Sequence, residues 1–344
     1  MGGDHGCAVA VHGVKRALAA AGNETITAIN LVGREAEIQA ALQATGCRDS
    51  RLHVTHAGEV LTMEDKPVVG LRKKKDCSIL RAVELVKDGQ ADAVISPGNT
   101  GGIVAAATIR LRPLDGIDRP AIACIIPTEK AQFVLIDGGA NPESKPVHLM
   151  HQAIMGGIYA REILGHHKPR VGILSNGTED IKGNDLVREA HTLCRQMEMP
   201  GIEYLGFVEG HDLFADHVDV VVADGFVGNI VLKTIESMGS GFKRMLKTAF
   251  TANPLRQAGA LLARGVFRDL KSRMDPEEHG GAPLLGLNGN VIKVHGSARE
   301  KMFANAIRQT TEALAHHLNE HIVREVSRAN ARLALARPPA PVPA

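Results

Sequence analysis

Short apolar segments rich in valine and isoleucine alternate along the chain with longer segments in which apolar residues recur at helical spacing. The short segments predict eight strands, at residues 28–32, 52–55, 93–96, 121–126, 133–136, 171–174, 220–223 and 291–294. The longer ones predict helices at 35–44, 78–87, 145–164 and 185–197. This alternation is typical of an α/β fold in which parallel strands are joined by crossover helices on both faces of the sheet.

The C-terminal part of the chain has a different pattern. Residues 230–273 are helical in pattern and contain no predicted strand, and Pro254 must interrupt this segment or begin a second helix. A further helix is predicted from residue 299 to about residue 335. The proline-rich segment 336–344 is predicted to be disordered. We therefore expect one α/β domain over residues 1–335, from which segment 243–273 protrudes.

The charge balance and the cysteines exclude several classes of protein. Lys and Arg number 40 against 38 Asp and Glu, and aromatic residues make up 3%, which argues against a nucleic-acid-binding protein. The five cysteines form no C-x-x-C pair, so neither a disulfide framework nor a metal site is predicted. The sequence shows no signal-peptide pattern and no apolar run of the ~20 residues that span a bilayer. We expect a cytoplasmic protein.

Loops built from Gly, Asn, Ser, Thr and Asp follow most of the predicted strands and also form the N-terminus. Because parallel strands present their carboxyl ends at one edge, we expect six such loops to meet in one crevice. Glycine permits close approach of a ligand, and helix N-termini favour anions, so the loops predict a phosphate site. For any single loop, an ordinary turn or helix cap is the alternative. The candidate ligands are Asp4, Gly98, Asn99, Thr100, Gly101, Asp137, Asn141, Ser175, Asn176, Gly177, Thr178, Asn184, Gly228, Asn229 and Ser297.

Common catalytic motifs are missing from the sequence. It contains no G-x-x-x-x-G-K-[ST], no G-x-G-x-x-G, no G-x-S-x-G and no H-E-x-x-H. No covalent nucleophile is therefore evident. Direct attack by a small bound anion on an activated acyl group would require none.

With these loops in view, the sequence resembles the phosphate acyltransferase (acyl-ACP:phosphate transacylase) family of bacterial phospholipid synthesis, where ACP is acyl carrier protein. The matching stretches occur in the family's order and are MGGDHG (1–6), LRKKKD (71–76), GNTG (98–101), DGGAN (137–141), LSNGTE (174–179), KGND (182–185), DGFVGNIVLK (224–233) and GGAPLLGLNG (280–289). The resemblance implies a three-layer, mostly parallel fold similar to phosphotransacetylases and isopropylmalate-type dehydrogenases, in a homodimer. It also implies that acyl-ACP and phosphate give acyl phosphate and ACP without a cofactor, and that the product feeds a membrane glycerol-3-phosphate acyltransferase.

The chain departs from the family's pattern at several positions. Pro97 stands where a small residue is expected, and Ala223 and the pair Glu143 and Ser144 stand where the family often has cysteine. These departures argue against cysteine catalysis. Members of the family also carry a short apolar strand just before Met-Gly-Gly-Asp, and we hypothesise that the natural start lies upstream of Met1.

The resemblance and the loop chemistry together suggest roles for individual residues. Lys182 and Lys233 are candidate charge partners for phosphate or for the developing oxyanion. His5 or His295 is a candidate proton shuttle to the leaving thiolate, because histidine titrates near neutrality. Asp224, like Asp4 and Asp137, is more suited to orienting Lys and His than to attack. The alternative for each is a structural ion pair or a cap.

Two basic segments are candidate partner surfaces. Arg72, Lys73, Lys74 and Lys75 form a dense run that would suit docking of the acidic ACP, with a solvated loop as the alternative. Segment 243–273 holds eight basic residues and one acidic residue among many apolar ones. That composition predicts helices on an anionic membrane surface with a tip at 250–262, and some packing against a second copy. We therefore expect partial association with the inner face of the membrane.

Three other functions are compatible with parts of the sequence. An acetyl- or butyryl-CoA phosphotransacylase would perform the same reaction type with a CoA donor. A metal- and NAD-dependent decarboxylating dehydrogenase would need clustered Asp ligands and arginines for a dicarboxylate, which the sequence does not display. A non-catalytic membrane scaffold would fit the basic segment but would give the polar loops no purpose.

Overall fold

A computed structural model gives the structure of the protein and describes residues 2–20, 25–273 and 275–336. Of the tail predicted to be disordered, 336–344, residue Ala336 instead ends the last helix, and residues 337–344 lie outside the described residues. The described strands are β1 Ile29–Gly33, β2 Leu52–His56, β3 Ala93–Ser96, β4 Ala121–Pro127, β5 Gln132–Ile136, β6 Arg170–Leu174, β7 Glu203–Val208, β8 Val220–Val222, β9 Ala282–Leu285 and β10 Asn290–Lys293. The eight predicted strands are confirmed to within one residue at each end. Strands β7 and β9 were not predicted.

The described helices are α1 Gly6–Leu18, α2 Glu35–Thr45, α3 Pro67–Lys73, α4 Ser78–Lys87, α5 Thr100–Leu111, α6 Pro146–Glu162, α7 Asp185–Gln196, α8 Gly225–Thr251, α9 Pro254–Leu262, α10 Arg264–Arg273, α11 Glu300–Ala315 and α12 Leu318–Ala336. Pro254 begins α9, where its missing N–H costs nothing, and the Asn253 side chain caps that helix. The single helix predicted from residue 299 was wrong. It is divided into α11 and α12 at His317, which has a left-handed φ of 49°.

The strands form a two-stranded parallel sheet, β1-β2, and an eight-stranded sheet in the order β3-β10-β9-β4-β5-β8-β6-β7. Five of the eight strand pairs are parallel, which agrees with a mostly parallel α/β fold. The pairs β10/β9, β9/β4 and β4/β5 are antiparallel. Three reversals leave β3 and β10 running opposite to β5, β6 and β8. The prediction that all the strand-end loops share one edge was therefore wrong.

The large sheet is covered on both faces. Successive side chains of a strand point to opposite faces, and in β5 Val134 and Ile136 join one buried cluster while Phe133 and Leu135 join another. The first cluster includes residues of α6, α7 and α12, and the second includes residues of α4 and α5. These two cores produce the three-layer arrangement.

Helices α8 to α10 leave much apolar surface exposed. On α8 the side chains of Met238, Phe242 and Met245 are exposed, and on α9 Leu255 and Leu262 are more than four-fifths exposed. No helix in the part of the chain that the structure describes is both long enough and apolar enough to cross a membrane.

Candidate functional site

The loop after β5 is built around the buried carboxylate of Asp137. One of its oxygens accepts hydrogen bonds from the backbone N–H of Ile122, Gly139 and Ala140 at 2.9–3.1 Å. The other accepts from the backbone and the side-chain amide of Asn141, both at 2.8 Å. The Asn141 amide also donates to the Pro120 carbonyl at 2.6 Å. Asp137 and Asn141 therefore shape this loop from within, and the carboxylate of Asp137 and the amide nitrogen of Asn141 are already engaged.

Helix α8 begins against the same loop. Asp224 caps the helix by accepting from Phe226 N and Val227 N at 2.9 and 3.0 Å. Gly225 N donates to the Asn141 carbonyl at 2.9 Å. Glycine at 225 and 228 lets the helix backbone lie directly on the backbone of the loop, because a Cβ at either position would collide with loop atoms. Packed in this way, α8 presents the exposed Asn229 side chain beside Gly139.

The loop after β6 lies one strand away, because β6 pairs directly with β8. Asn176 accepts from Gly183 N at 2.9 Å, and Asn184 caps α7 by accepting from Val187 N at 3.0 Å. The buried hydroxyl of Ser175 has no hydrogen-bond partner among the described residues.

Lys182 lies in that same loop. Gly177 allows its methylene chain to pack closely, since a Cβ there would lie 2.5 Å from Lys182 Cγ. Lys182 is half-buried, and the described residues offer no carboxylate within ion-pair distance of its ammonium. Thr178 is an exposed residue of the same loop. This loop therefore brings an unpaired cation and an unpaired hydroxyl to the edge that Asp224 occupies.

The remaining predicted residues lie at the opposite edge, after β3 and β10. Asp4 N donates to the Gly296 carbonyl at 2.9 Å, and Gly3 packs against Pro97. The exposed His295 ring shares a 2.7 Å hydrogen bond with Ser297 Oγ. His5 is exposed at the start of α1 and makes no side-chain cap hydrogen bond.

Asn99 has a structural role at this edge. Its carbonyl oxygen caps α5 by accepting from Gly102 N at 2.9 Å, and its amide donates to the Thr62 carbonyl at 3.0 Å. Gly98 and Gly101 pack against Ile79 and Pro67, and Thr100 starts the helix. The cap, which was the alternative to a ligand role, accounts for the Asn99 side chain.

Helix α8 packs over one face of the sheet through Val231, Leu232 and Ile235. Asn229, Lys233 and Ser237 recur every four residues and therefore share one face of the helix. Together with Ile230, Thr234 and Met238 they line an open groove of about 390 Å³. Lys233 is exposed and pairs with Glu236 at 2.7 Å. The candidate site is this groove, with the Asp137 loop beside Asn229 and the Lys182 loop after the adjoining strand β6.

Lys293 lies on the sheet face that α8 packs against and was not predicted. It ends β10, and its ammonium donates to the Pro97 carbonyl at 3.4 Å and to the Val294 carbonyl. Burial lowers the pKa of Lys293 to about 8, the charge of Lys233 acts in the same direction, and Asp4 opposes them. A lysine closing an apolar strand just before His-Gly-Ser was the available sequence signal.

The basic run 72–75 divides into two kinds of residue. Lys74 pairs with Asp65 at 2.5 Å and donates to the Val60 carbonyl at 2.9 Å, so it fixes the turn after α3. The hydrogen bond from Lys74 lowers the pKa of Asp65. Arg72, Lys73 and Lys75 are exposed. The exposed three therefore form the accessible part of the run.

The cysteines and the acidic residues give no sign of other chemistry. Burial raises the pKa values of the Cys124 and Cys194 thiols to about 12, so both remain protonated at neutral pH. Among residues 2–20, 25–273 and 275–336 no cluster of three or more His, Cys, Asp or Glu is arranged to hold a metal ion.

Comparisons with known proteins agree with this architecture. The family described as "Fatty acid synthesis protein" matches residues 1–321. The phosphate acyltransferase of Syntrophotalea carbinolica is 42% identical over 333 residues, covering 97% of this chain and 94% of that protein. That of Geotalea daltonii is 43% identical over 326 residues, covering 95% and 92%.

Solved structures of lower identity show the fold alone. A phosphotransacetylase from Streptococcus pyogenes has a TM-score of 0.60 at 20% identity, covering 88% of this chain and 91% of that one. The EutD phosphotransacetylase from Staphylococcus aureus has a TM-score of 0.55 at 17% identity, covering 84% and 86%. The fold agrees with the expected likeness to phosphotransacetylases. Taken with the near full-length identity to the curated relatives, the resemblance found in the motifs is confirmed: this chain belongs to the phosphate acyltransferase family.

Proposed function

We propose that this protein transfers a fatty acyl group from acyl-ACP to inorganic phosphate, giving acyl phosphate and free ACP for phospholipid synthesis. The observation that carries the proposal is the face of α8, which holds Asn229 and Lys233 in an open groove. The Lys182 loop follows β6, the strand that pairs with β8 just before this helix. Membership of the phosphate acyltransferase family supports the reaction type.

The chemistry is a direct displacement. A phosphate oxygen attacks the thioester carbonyl, a new C–O bond forms, and the carbonyl oxygen becomes an oxyanion. Collapse of this intermediate breaks the C–S bond, and the proton of hydrogen phosphate passes to the departing thiolate. This route needs no acyl-enzyme. It fits the protonated state of the Cys124 and Cys194 thiols and a sequence without the G-x-S-x-G motif of a serine nucleophile.

Each group in the groove has a role in this reaction. The ammonium groups of Lys182 and Lys233 and the Asn229 amide donate to phosphate and to the oxyanion, where preorganised donors stabilise developing charge. His295, oriented by Ser297, is the proton carrier at the far edge, and His5 is the alternative. No cofactor or metal is needed.

The buried polar residues act on the site indirectly. Asp224 caps α8, which carries Asn229. Asn184 caps α7, which follows Lys182 in the chain. Asp137 and Asn141 hold the loop on which α8 rests. Ser175, Asn176, Gly177 and Thr178 form the phosphate-side loop. In this proposal, Asp4, Gly98, Asn99, Thr100, Gly101 and Ser297 shape the opposite wall.

The exposed cations of the basic run are the proposed ACP-docking surface. The acidic ACP would meet Arg72, Lys73 and Lys75, whereas Lys74 is held by Asp65. Reversing the charge of Lys73 and Lys75 should raise KM for acyl-ACP at low salt and leave KM for phosphate unchanged. An unchanged KM for acyl-ACP at low salt would reject docking at this run.

The exposed apolar residues of α8 and α9 support two further assignments. We assign the exposed Phe242 and Met245 of α8, which lie beyond the groove, to contact with a second copy in a homodimer. The α9 tip, with Leu255, Leu261 and Leu262 exposed, is assigned to an anionic membrane surface at the cytoplasmic face. There the product would pass to a membrane glycerol-3-phosphate acyltransferase. Flotation with anionic liposomes should fall for Leu261→Asp, and unchanged flotation would reject the membrane role.

The reaction is tested by following thiol release from palmitoyl-ACP with and without phosphate, with hydroxylamine as the trap for acyl phosphate. Phosphate-dependent thiol release together with hydroxamate is expected. The same assay with acetyl- or butyryl-CoA distinguishes a CoA-dependent phosphotransacylase. Absence of turnover with either donor from folded protein would instead favour a non-catalytic scaffold.

A further inference from the structure

Lys293 occupies an unusual place for a lysine. It lies within the large sheet, in register with Ser96 of β3 on one side and Ala282 of β9 on the other. Its chain neighbours Ile292 and Val294 are buried. Within the described part of the chain, its ammonium donates only to carbonyl oxygens, those of Pro97 and Val294. A cation held in this way has lost water without gaining a counter-charge.

The charges around Lys293 do not balance. None of the described residues places a carboxylate within ion-pair distance of its ammonium, and Asp4 acts on it only as a longer-range charge. The strongest charge acting on it is a second cation, Lys233 of α8, and the carboxylate of Glu236 is already paired with Lys233. Lys293 is in register with Ala282, which packs against the same buried cluster as Leu232 of α8, so Lys293 and α8 lie on the same face of the sheet. Two ammonium groups on one face repel unless an anion lies between them.

We propose that Lys293 and Lys233 form a two-lysine clamp that binds the attacking inorganic phosphate across the groove. This inference rests on the proposed function and adds a phosphate-binding residue to the same site. A phosphate dianion between the two ammonium groups would cancel their repulsion and receive charge-assisted hydrogen bonds from both. The clamp would also join the wall formed after β3 and β10 to helix α8.

The phosphodiester of the ACP prosthetic group could also bind between two lysines. Steady-state kinetics distinguish it from inorganic phosphate, because the two substrates have separate KM values. In Lys293→Met the KM for phosphate should rise at least about tenfold, which is the loss of one charged hydrogen bond. The KM for acyl-ACP should stay unchanged, and Lys293→Arg should recover most of the loss. Lys87→Met, which removes an exposed lysine at the end of α4, is the matched control and should behave as wild type. A raised KM for acyl-ACP with an unchanged KM for phosphate would overturn the clamp.

Binding without turnover keeps this test separate from the proposed reaction. Calorimetric titration of the full chain with inorganic phosphate alone should show binding that Lys293→Met weakens and Lys87→Met does not. In the wild-type protein, phosphate should protect Lys293 and Lys233, but not Lys87, from acetylation read by mass spectrometry, which requires no variant. Equal acetylation of Lys293 with and without phosphate would reject the clamp even if the enzyme is active. Protection in a protein that lacks turnover would uphold the clamp and count against the reaction.

Discussion

Replacing Gly225 by alanine should displace the start of α8 from the loop that supports it. The new Cβ would lie 2.6 Å from the Asn141 carbonyl oxygen and 2.8 Å from its carbonyl carbon and nitrogen. All three are backbone atoms, so no side-chain rotation relieves the collision. An ordinary contact of 3.4 Å requires the helix to withdraw by about 0.8 Å.

This displacement has a cost in stability and a larger one in activity. Overpacking of this kind costs about 1–3 kcal/mol, and better helix propensity offsets about 0.5–1 kcal/mol of it. The protein should remain folded, because domains are stable by about 5–15 kcal/mol. Asn229 and Lys233 move with the helix, and a misplacement near 1 Å can lower a rate by about 10²-fold. We expect kcat to fall roughly 10- to 100-fold.

The assay pairs urea unfolding with phosphate-dependent thiol release. Gly239→Ala, in the same helix, is the matched control, because a Cβ there meets no atom within 4 Å. It should stabilise the protein by about 0.5–1 kcal/mol without changing kcat. Wild-type stability and activity in Gly225→Ala would refute the argument that α8 must rest on this loop.

Three further predictions concern buried groups and the phosphate-side cation. Asp137→Asn should destabilise the protein by about 1–3 kcal/mol, because the new amide would point an N–H donor at backbone N–H groups that now donate to the carboxylate. Asp88→Asn, at an exposed position, is the control. A urea midpoint of Asp137→Asn equal to that of the control would contradict this. Burial lowers the pKa values of His148, His151 and His191 below 6.5, so their contribution to stability is complete above pH 6.5 and is lost as the pH falls below that value. A urea midpoint that does not fall as the pH is lowered from 6.5 would reject that reasoning. Lys182→Met should lower kcat about 10²- to 10³-fold with unchanged stability, and wild-type turnover would remove Lys182 from the mechanism.

The sequence predicted the layers of the fold because most strands are buried on both faces and read as continuous apolar runs. Strand β9 escaped prediction because its four residues lie between glycine-rich segments and read as part of a loop. The reversed direction of β3 and β10 depends on pairing between distant segments, which local periodicity does not encode. For that reason the convergence of all the loops on one edge was predicted wrongly.

The site was predicted only in part, because its geometry also depends on contacts between distant segments. The loop motifs identified Asn229, Lys182 and Lys233, but the same residue types serve as caps, and the sequence could not tell Asn229 from Asn99 or Asn184. Only the fold shows that Asn99 and Asn184 hold helix ends while Asn229 is exposed in the groove. Lys293 is a candidate only because the pairing of β10 with β9 places it on the sheet face that α8 covers.

The most direct test of the account is the fate of the phosphate oxygens. Palmitoyl-ACP would be incubated with the protein and with phosphate carrying ¹⁸O at all of its oxygens, and the acyl phosphate would be analysed by mass spectrometry. Direct attack of phosphate on the thioester predicts palmitoyl phosphate that retains every labelled oxygen, including the one that bridges carbon and phosphorus. Loss of one label, or thiol release that yields only free palmitate, would contradict direct acyl transfer to phosphate.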